Sequence, residues 1–227
     1  MLIPTLVIIA SISLLPLSAR RLSMMEAGRA RFSLGCFWTP QRELTSDASR
    51  GRGILSAVAG YTGGSNERPT YGSVCAGDGH VEAVDIAYDS SRLTFEDLLE
   101  EFWRSSASAD SVRNARGTQY AHVIWAMNAE QTRLAEASLA RRRSLGDERA
   151  NYVIVRPATS FYRAEGYHQD YWRKQYPRYA LLAGTLAITV TPHLPPLLYQ
   201  VAVAGSLTYI AIVLVEKAMN SKVEKVE

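Results

Sequence analysis

The chain has 227 residues, which is enough for one domain of good size with terminal extensions. Its formal net charge is only +3, and its 25 basic and 22 acidic residues are mixed through the middle of the chain, so we expect no nucleic-acid partner. Two cysteines do not make a disulfide framework, and the chain has no four-ligand zinc spacing, so we predict no metal site. Hydrophobicity is uneven, because both ends are apolar and the middle has the composition of a soluble domain.

The N-terminal segment is apolar. Residues 1–19 carry no charged side chain, and Arg20 and Arg21 follow them. A signal peptide usually has a basic region before its apolar core, and here only the terminal amine supplies one. We predict a targeting role for residues 1–22, as a secretory leader, an N-terminal anchor or an atypical organelle-targeting segment. The alternative is an extension without structure.

The first cysteine is predicted to lie where a strand meets a helix. Phe32 and Leu34 alternate as in a short strand, and residues 39–40, a threonine and a proline, are typical of a helix N-cap and first turn. Free backbone N–H groups and the helix dipole at such a junction favour a thiolate, which would make Cys36 reactive. The alternative is a small buried cysteine beside core aromatic residues.

The segment after this junction is predicted to consist of loops around one strand. Residues 46–53 are polar and contain glycine, which indicates a loop. Residues 54–60 are apolar, as in a short strand, and a glycine pair at 63–64 predicts a turn. Residues 66–79 are predicted to form a second loop, which carries Tyr71 and Cys75.

A clear strand pattern covers residues 80–88. With a side-chain period of two, Glu82 shares a face with Val84, Ile86 and Tyr88. A carboxylate on an apolar face is costly unless it is paired or protonated, so Glu82 can keep its proton near neutral pH and act as an acid. The alternative is that Glu82 lies at the strand end and reaches solvent.

The rest of the central region alternates helices and strands. Thr94 and Asp97 form a capping-box pattern before an apolar stripe, which predicts a helix start. The spacing of the four histidines favours structural roles over metal binding. The remaining predicted elements are a polar loop over 105–116, a strand over 118–126, a helix over 129–145 capped by Asn128, and a strand over 152–155.

The C-terminal region has the composition of a membrane segment. Residues 179–215 carry no formally charged side chain, and residues 197–215 are close to the length that crosses a bilayer. We predict one transmembrane helix over 197–215, preceded by an interfacial or re-entrant segment. Basic residues flank both sides, so the orientation stays undetermined. The alternatives are a two-segment hairpin in the membrane and a buried helical hairpin in a soluble protein.

Six short motifs occur in one order over residues 31–178, and together they resemble the A-type peptide methionine sulfoxide reductases, which act on the S epimer. Each motif alone is a weak signal, whereas all six with near-family spacing are a strong one. Enzymes of this class reverse methionine oxidation. The motifs are Gly-Cys-Phe-Trp at 35–38, Gly-Tyr-Thr-Gly-Gly at 60–64, Pro-Thr-Tyr at 69–71 with Val-Cys at 74–75, Gly-His-Val-Glu at 79–82, Gly-Thr-Gln-Tyr at 117–120 and Ala-Glu-Gly-Tyr-His-Gln at 164–169.

The resemblance implies a role for each matching residue. Cys36 is implied to be the nucleophile that attacks the sulfoxide sulfur, and Glu82 the acid that protonates the sulfoxide oxygen. Tyr71 and Tyr120 are implied to donate hydrogen bonds to that oxygen. This agrees with elementary chemistry, because a thiolate displaces the oxygen only if the oxygen gains a proton. Attack leaves Cys36 as a sulfenic acid, which a thiol must then reduce.

The resemblance also implies the surroundings of the reaction centre. Phe37 and Trp38 are implied to hold the methyl group of the substrate. The implied fold is an α+β two-layer sandwich with a ferredoxin-like core, a mixed sheet with packed helices, to which this chain adds a C-terminal apolar helix. No metal or organic cofactor is implied, and the reductant is a thioredoxin-like protein or a small thiol.

The chain departs from the family pattern in four places. The usual His-Asp-Pro is missing from residues 103–116, and Ala115 stands where the family usually has aspartate. Residues 39–56 are longer than usual and lack the usual Gly-x-Glu after the tryptophan. No cysteine follows Cys75, so recycling requires Cys75 as the resolving residue or an external thiol acting directly.

We therefore predict a membrane-attached repair enzyme that reduces protein-bound and free methionine-S-sulfoxide. A second hypothesis is a membrane-tethered protein that binds oxidised methionine but turns over poorly, and a third is a thiol peroxidase. The predicted divisions are a leader or anchor over 1–22, the catalytic domain over 31–178, a membrane-associated segment over 179–216 and a charged tail over 217–227.

Overall fold

One six-stranded sheet forms the centre of the molecule, whose computed structural model describes residues 27–190 and 195–223. The strand order is β5-β4-β1-β3-β2-β6, and only β4 and β5 run parallel. The strands are β1 (Gly28–Leu34), β2 (Ile54–Thr62), β3 (Val81–Tyr88), β4 (His122–Ala126), β5 (Ile154–Pro157) and β6 (Phe161–Arg163).

Helices connect the strands and continue beyond the sheet. They are α1 (Trp38–Leu44), α2 (Asp47–Arg52), α3 (Tyr71–Cys75), α4 (Phe95–Ser105), α5 (Ala109–Asn114), α6 (Ala129–Ser144), α7 (Tyr171–Val190) and α8 (Pro196–Val223), with a 3₁₀ turn at Glu148–Asn151. The four strands β4-β1-β3-β2, with helices after β1 and after β3, have the ferredoxin-like order. The predicted mixed sheet with packed helices is confirmed.

The main core lies between the sheet and the helices on one of its faces. Phe32 of β1 contacts the rings of Phe95 and Phe102 in α4, with centroid distances of 6.2 and 5.3 Å. Val84 and Ile86 of β3 are fully buried in the same cluster. A smaller apolar cluster of Ala121, Val123 and Trp125 lies on the other face of the sheet. The functional region lies on the main-core side, where β1 ends and α1 begins.

The two longest predicted helices of the central region are confirmed. Thr94 caps α4, and its hydroxyl and the carboxylate of Asp97 form the predicted reciprocal capping box. Asn128 caps α6 by accepting a hydrogen bond from the backbone N–H of Gln131. After α6 the chain turns at Gly146, whose φ of +77° favours glycine.

Three predicted loops contain short helices, so the loop prediction was wrong there. α2, α3 and α5 have five or six residues each, which is too short for an apolar period to show in the sequence. Each begins after a hydroxyl side chain, at Ser46, Thr70 and Ser108, that accepts a bond from a backbone N–H of the first turn. The predicted strand over 118–126 is also shorter and begins only at His122.

Two long helices follow the six-stranded sheet in the chain. Within the residues that the structure describes, one segment, Pro196–Val215 of α8, is long and apolar enough to cross a membrane, with mean hydropathy 1.9 and none of the window buried. α7 and α8 pack against each other, since a side chain at Gly205 would lie 3.2 Å from Leu181 and 3.4 Å from Thr185. The apolar side chains of this pair are not buried within the chain, unlike those of a soluble core hairpin. The predicted leader over 1–22 lies outside the described residues, as does part of the tail over 217–227.

Candidate active site

Cys36 lies between the end of β1 and the start of α1, as the sequence predicted. The chain turns at Gly35, whose φ of +78° is a conformation that residues with a Cβ rarely adopt. α1 begins at Trp38 with Phe37 as N-cap, so the prediction that Thr39 and Pro40 open the helix was late by two residues. The Cys36 thiol is free and solvent-accessible. This cysteine is therefore available to a substrate and is not a buried core residue.

The helix start affects the Cys36 thiol less than the sequence suggested. Partial burial raises the pKa of Cys36, the nearby backbone N–H of Trp38 lowers it, and the negative charge of Glu82 raises it further. The net pKa is above the ordinary value, so the resting side chain is a thiol. Because one of the opposing effects is the charge of Glu82, protonation of Glu82 makes the thiolate easier to form.

Glu82 is buried on the apolar face of β3, with 1% of its surface exposed. Val84, Ile86 and Tyr88 belong to the main core cluster, whereas Ala83 and Ala87 do not, which is the alternation that the sequence predicts. The backbone N–H of Phe37 donates a 3.0 Å hydrogen bond to Glu82 Oε2. Burial raises the pKa of Glu82 to about 7, and the bond from Phe37 opposes that rise. The carboxyl group therefore gains and loses its proton near neutral pH. It lies against the backbone of Phe37, the residue that follows Cys36.

Tyr71 is brought to Glu82 from a separate segment. Its backbone N–H donates a 2.8 Å bond to Glu165 Oε1, and its ring lies 4.6 Å from that of His168. Burial and a hydrogen bond with the Cys75 thiol raise the pKa of Tyr71, as do the nearby charges of Tyr120 and Glu82. The hydroxyl therefore stays protonated and able to donate.

Tyr120 lies in the turn before β4, where its backbone N–H donates to Thr118 Oγ1 at 3.1 Å. Its side chain is 38% exposed. Tyr120 and Glu82 both raise the pKa of the Tyr71 hydroxyl, so each is close enough to Tyr71 to act on it electrostatically. Ala115, where the family usually has aspartate, caps the end of α5, and its carbonyl accepts a bond from the Thr118 backbone N–H at 3.1 Å. The position thus lies in the turn that carries Tyr120.

Phe37 and Trp38 form aromatic walls beside the cysteine. Phe37 is buried, with its ring 5.9 Å from Tyr61 and 5.1 Å from His168. Trp38 is half-buried and stacks on Tyr171 with a centroid distance of 3.7 Å and an interplanar angle of 3°. One face of the indole is thus covered by the first residue of α7. The arrangement provides an apolar surface next to Cys36.

Glu165, within the motif at 164–169, connects several site residues that come from separate segments. Its carboxylate accepts bonds from the Tyr61 hydroxyl and from the Tyr71 backbone N–H, both at 2.8 Å. His168 Nε2 lies 3.9 Å from the same carboxylate. The signal that could have identified Glu165 is its place in the motif at 164–169, three residues before His168.

A second connection missed from the sequence joins α1 to the same segment. Gln41 occupies the position of the usual glutamate after the tryptophan, and its amide donates to Gln169 Oε1 at 3.0 Å and to Ala57 O at 3.2 Å. The Gln169 amide donates to Ala59 O and Ala164 O, both at 2.8 Å. These buried amides hold α1 and residues 164–170 against β2. They therefore fix the position of the turn that carries Cys36 relative to the segment that carries His168.

Cys75 is the last residue of α3, and its thiol is exposed and free. Its thiol forms a hydrogen bond with the Tyr71 hydroxyl. Among the described residues, no group of three histidine, cysteine or acidic side chains is arranged to hold a metal ion. His122 and His168 are buried, and burial lowers the pKa of each to about 4.

Comparison with known proteins shows which family the chain is similar to. A family model described as peptide methionine sulfoxide reductase matches residues 28–189. The peptide methionine sulfoxide reductase MsrA of Enterobacter sp. (strain 638) is 40% identical over 172 residues, which cover 73% of this chain and 78% of that protein. MsrA of Escherichia coli O127:H6 is 41% identical over 152 residues, 64% of this chain and 70% of that protein. The crystal structure of reduced Mxr1 from Saccharomyces cerevisiae superimposes with a TM-score of 0.56 at 25% identity, covering 67% of this chain and 87% of that one.

Proposed function

The chain belongs to the peptide methionine sulfoxide reductase family and reduces methionine sulfoxide to methionine at the expense of thiols, and we propose that Cys36 and Glu82 are the residues that do so. The observation that carries the proposal is a buried carboxyl group with a pKa of about 7, held by the N–H of Phe37 next to Cys36. An acid that keeps its proton near neutral pH can protonate a leaving oxygen. The hypothesis of a binding protein without turnover is not favoured.

The proposed reaction uses both groups at once. Cys36 attacks the sulfoxide sulfur as a thiolate while Glu82 gives a proton to the oxygen. The oxygen is transferred to the cysteine sulfur, which becomes a sulfenic acid, and methionine leaves as a thioether. Protonation of Glu82 removes the negative charge that opposes the thiolate, so the protonated acid and the thiolate favour each other.

Tyr71 and Tyr120 are proposed to bind the sulfoxide oxygen. Glu82 and Tyr120 both affect the Tyr71 hydroxyl, whose pKa is raised, so Tyr71 remains a donor at neutral pH. Phe37 and Trp38 are proposed to hold the substrate methyl group, since they form the apolar surface beside Cys36. A methyl group in a site built from aromatic faces is bound by dispersion and burial.

The sulfenic acid must be reduced, and we propose that an external thiol does this, either a thioredoxin-like protein or a small thiol. No cysteine follows Cys75 in the chain. An incoming thiol that attacks the exposed Cys36 sulfur releases water and leaves a mixed disulfide, which a second thiol cleaves. Cys75 as the resolving residue is the alternative, because its sulfur lies near the same centre.

The chain is proposed to act at a membrane, through residues 197–215. The support is the charge-free run over 179–215 and the exposure of apolar side chains such as Leu207, Ile210 and Leu214. Replacing Leu207 and Ile210 together with aspartate should move the full chain from the membrane pellet to the supernatant, since each aspartate at the centre of a spanning helix costs about 2.5–3.5 kcal/mol. Leu145→Asp, at an exposed apolar residue of the catalytic region, is the matched control and should leave the distribution unchanged.

The catalytic proposal is tested with racemic methionine sulfoxide carrying a dabsyl group. The full chain and dithiothreitol are incubated with it, and the products are separated by chirality. Conversion that stops near half, with only the R epimer left, supports the proposal and its stereochemistry. Cys36→Ser should convert nothing, and a variant that keeps turnover would remove Cys36 from the proposed role.

A further inference from the structure

A cavity of about 470 Å³ has its floor on the face of the sheet opposite the main core, and Tyr120 and Cys75 are among its lining residues. Its size is in the range of small-molecule and peptide side-chain pockets. Tyr120 and Cys75 line it, and the same two residues interact with the hydroxyl of Tyr71. The cavity is therefore continuous with the proposed oxygen-binding residues, although neither Cys36 nor Glu82 lines it.

The floor of the cavity is apolar and belongs to the sheet. Val123 and Trp125 of β4 are buried there and form the smaller apolar cluster, against which Val81 of β3 packs. Trp125 is fixed because its indole N–H donates a 3.0 Å bond to Ser33 Oγ. This face of the sheet thus offers a rigid surface that can bury an apolar side chain.

One cation stands at the edge of this floor. Arg156 lies on the edge strand β5, in register with Trp125, and lines the cavity. It is the one lining residue with a formal charge, and it has no ion-pair partner among the residues that the structure describes. An exposed arginine without a partner beside an apolar surface fits a ligand that combines apolar groups with a carboxylate.

The turn beside Tyr120 adds an acceptor. Gln119 lines the cavity, and its Oε1 is buried without a hydrogen-bond partner in the described part of the chain. A polypeptide main chain supplies N–H donors for such an oxygen. Free methionine sulfoxide has no neighbouring residues that could enter this cavity, whereas a peptide continues past the reacting side chain.

We propose that this cavity binds the residues next to the oxidised methionine in a protein substrate, and that Arg156 selects substrates with an acidic side chain there. The proposal rests on the methionine sulfoxide reductase function and deepens it. It predicts that the chain prefers acidic over basic surroundings of the oxidised residue, and that the preference weakens with added salt, because an exposed ion pair is screened.

The test compares three substrates with the full chain. They are N-acetyl methionine-S-sulfoxide and two blocked peptides that have methionine-S-sulfoxide between two aspartates or between two lysines. We expect kcat/KM to be about three- to fivefold higher for the aspartate peptide at low salt, as one exposed ion pair provides. Arg156→Glu should reverse this ratio and leave N-acetyl methionine sulfoxide unchanged.

Arg163→Glu is the matched control, because Arg163 lies exposed on β6, the opposite edge strand of the same sheet. It should keep the wild-type ratio. An Arg156→Glu protein with the wild-type peptide ratio would overturn the proposal. Failure of the underlying function is distinguishable, because wild-type protein would then not reduce even N-acetyl methionine sulfoxide.

Discussion

The indole N–H of Trp38 donates a 3.0 Å hydrogen bond to Nδ1 of His168. An indole nitrogen can only donate, so Nδ1 must be the unprotonated nitrogen of the imidazole, and the neutral ring carries its proton on Nε2. Burial lowers the pKa of His168 to about 4, which keeps the ring neutral at physiological pH. The orientation of Trp38 is therefore independent of pH over the range in which Glu82 titrates.

Replacing this acceptor tests its role in positioning Trp38. His168→Phe keeps the ring contacts with Phe37 and Tyr71 but leaves the indole N–H without its partner. We expect KM for a peptide S-sulfoxide to rise about fivefold, since one hydrogen bond contributes about 1 kcal/mol, with a smaller change in kcat. In a double-mutant cycle with Trp38→Phe, the second substitution should add little. A large loss of kcat at unchanged KM would contradict the positioning role.

The pH profile of kcat/KM should report the pairing of Cys36 with Glu82. The active form carries a protonated Glu82, whose pKa is about 7, and an ionised Cys36, whose pKa is raised above the ordinary value. We expect a bell-shaped profile with an ascending limb near pH 7 and a descending limb in the alkaline range, both belonging to the coupled pair. Glu82→Gln still accepts the Phe37 bond but has no proton to give, so kcat/KM should fall at least ~10²-fold.

The same variant should lose the descending limb, because glutamine does not titrate. Its remaining profile should show a single rise with the ionisation of Cys36, at higher pH than the wild-type ascending limb, because burial still raises the pKa of that thiol. A Glu82→Gln protein that retains activity within a few-fold would show that another group is the acid.

Burial of Glu82 also makes folding depend on pH. Its pKa is raised from 4.5 to about 7 in the folded state, so the folded protein holds this proton more tightly. The sign follows from linkage: the stability contribution is fully present below about pH 4.5 and is lost as pH rises through 7, by up to about 3 kcal/mol. Urea unfolding in detergent at pH 5 and pH 8.5 should show this decrease for wild type and a smaller one for Glu82→Gln. Equal pH dependence in both proteins would show that Glu82 is not held in a charge-excluding site.

Cys75 can be separated from the turnover that small thiols support. Cys75→Ser keeps a hydroxyl partner for Tyr71, and we expect the dithiothreitol-driven rate to stay within about twofold, since external attack on Cys36 does not need Cys75. After one turnover without thiol, dimedone should label a sulfenic acid on Cys36, detectable by mass spectrometry. Collapse of the dithiothreitol-driven rate would instead identify Cys75 as the resolving residue. Tyr71→Phe is the comparison variant, which should lose rate while both thiols remain.

Patterns that repeat along the chain predicted the fold well. The alternation in β3 and the caps of α4 and α6 are local signals, and each element lies where its signal predicts. The short helices α2, α3 and α5 were missed because one turn buries too little for a period to appear, although Thr70 and Ser73 form a capping box that could have indicated α3. The start of α1 was misplaced because Pro40 fits the third helical position as well as the first. At either position the backbone N–H would have no partner within the helix, so a proline loses no hydrogen bond there.

The site was predicted through its motifs more than through local chemistry. The face of Glu82 follows from the strand period, but its burial depends on how α1 and residues 164–170 cover β2 and β3. The contacts of Glu165 with Tyr61 and Tyr71 join residues about a hundred positions apart, and no local pattern encodes such a contact. The sequence argument that the helix start lowers the pKa of Cys36 was also incomplete. Burial and the charge of Glu82 raise that pKa, and both come from segments distant in the chain.

The residue that stacks on Trp38 is also the first residue of α7, and this helix continues to Val190 with Pro177 in its interior, where a proline removes one backbone hydrogen bond. Its apolar part begins at Tyr179, eight residues after Tyr171, which is roughly 12 Å along a helix axis. A domain on a flexible linker samples a large volume above a surface and meets substrates at any height. If the C-terminal helices anchor the chain as proposed, the distance between the active site and the membrane varies much less. Oxidised methionines in the juxtamembrane segments of neighbouring proteins would then be repaired faster than those in freely diffusing proteins.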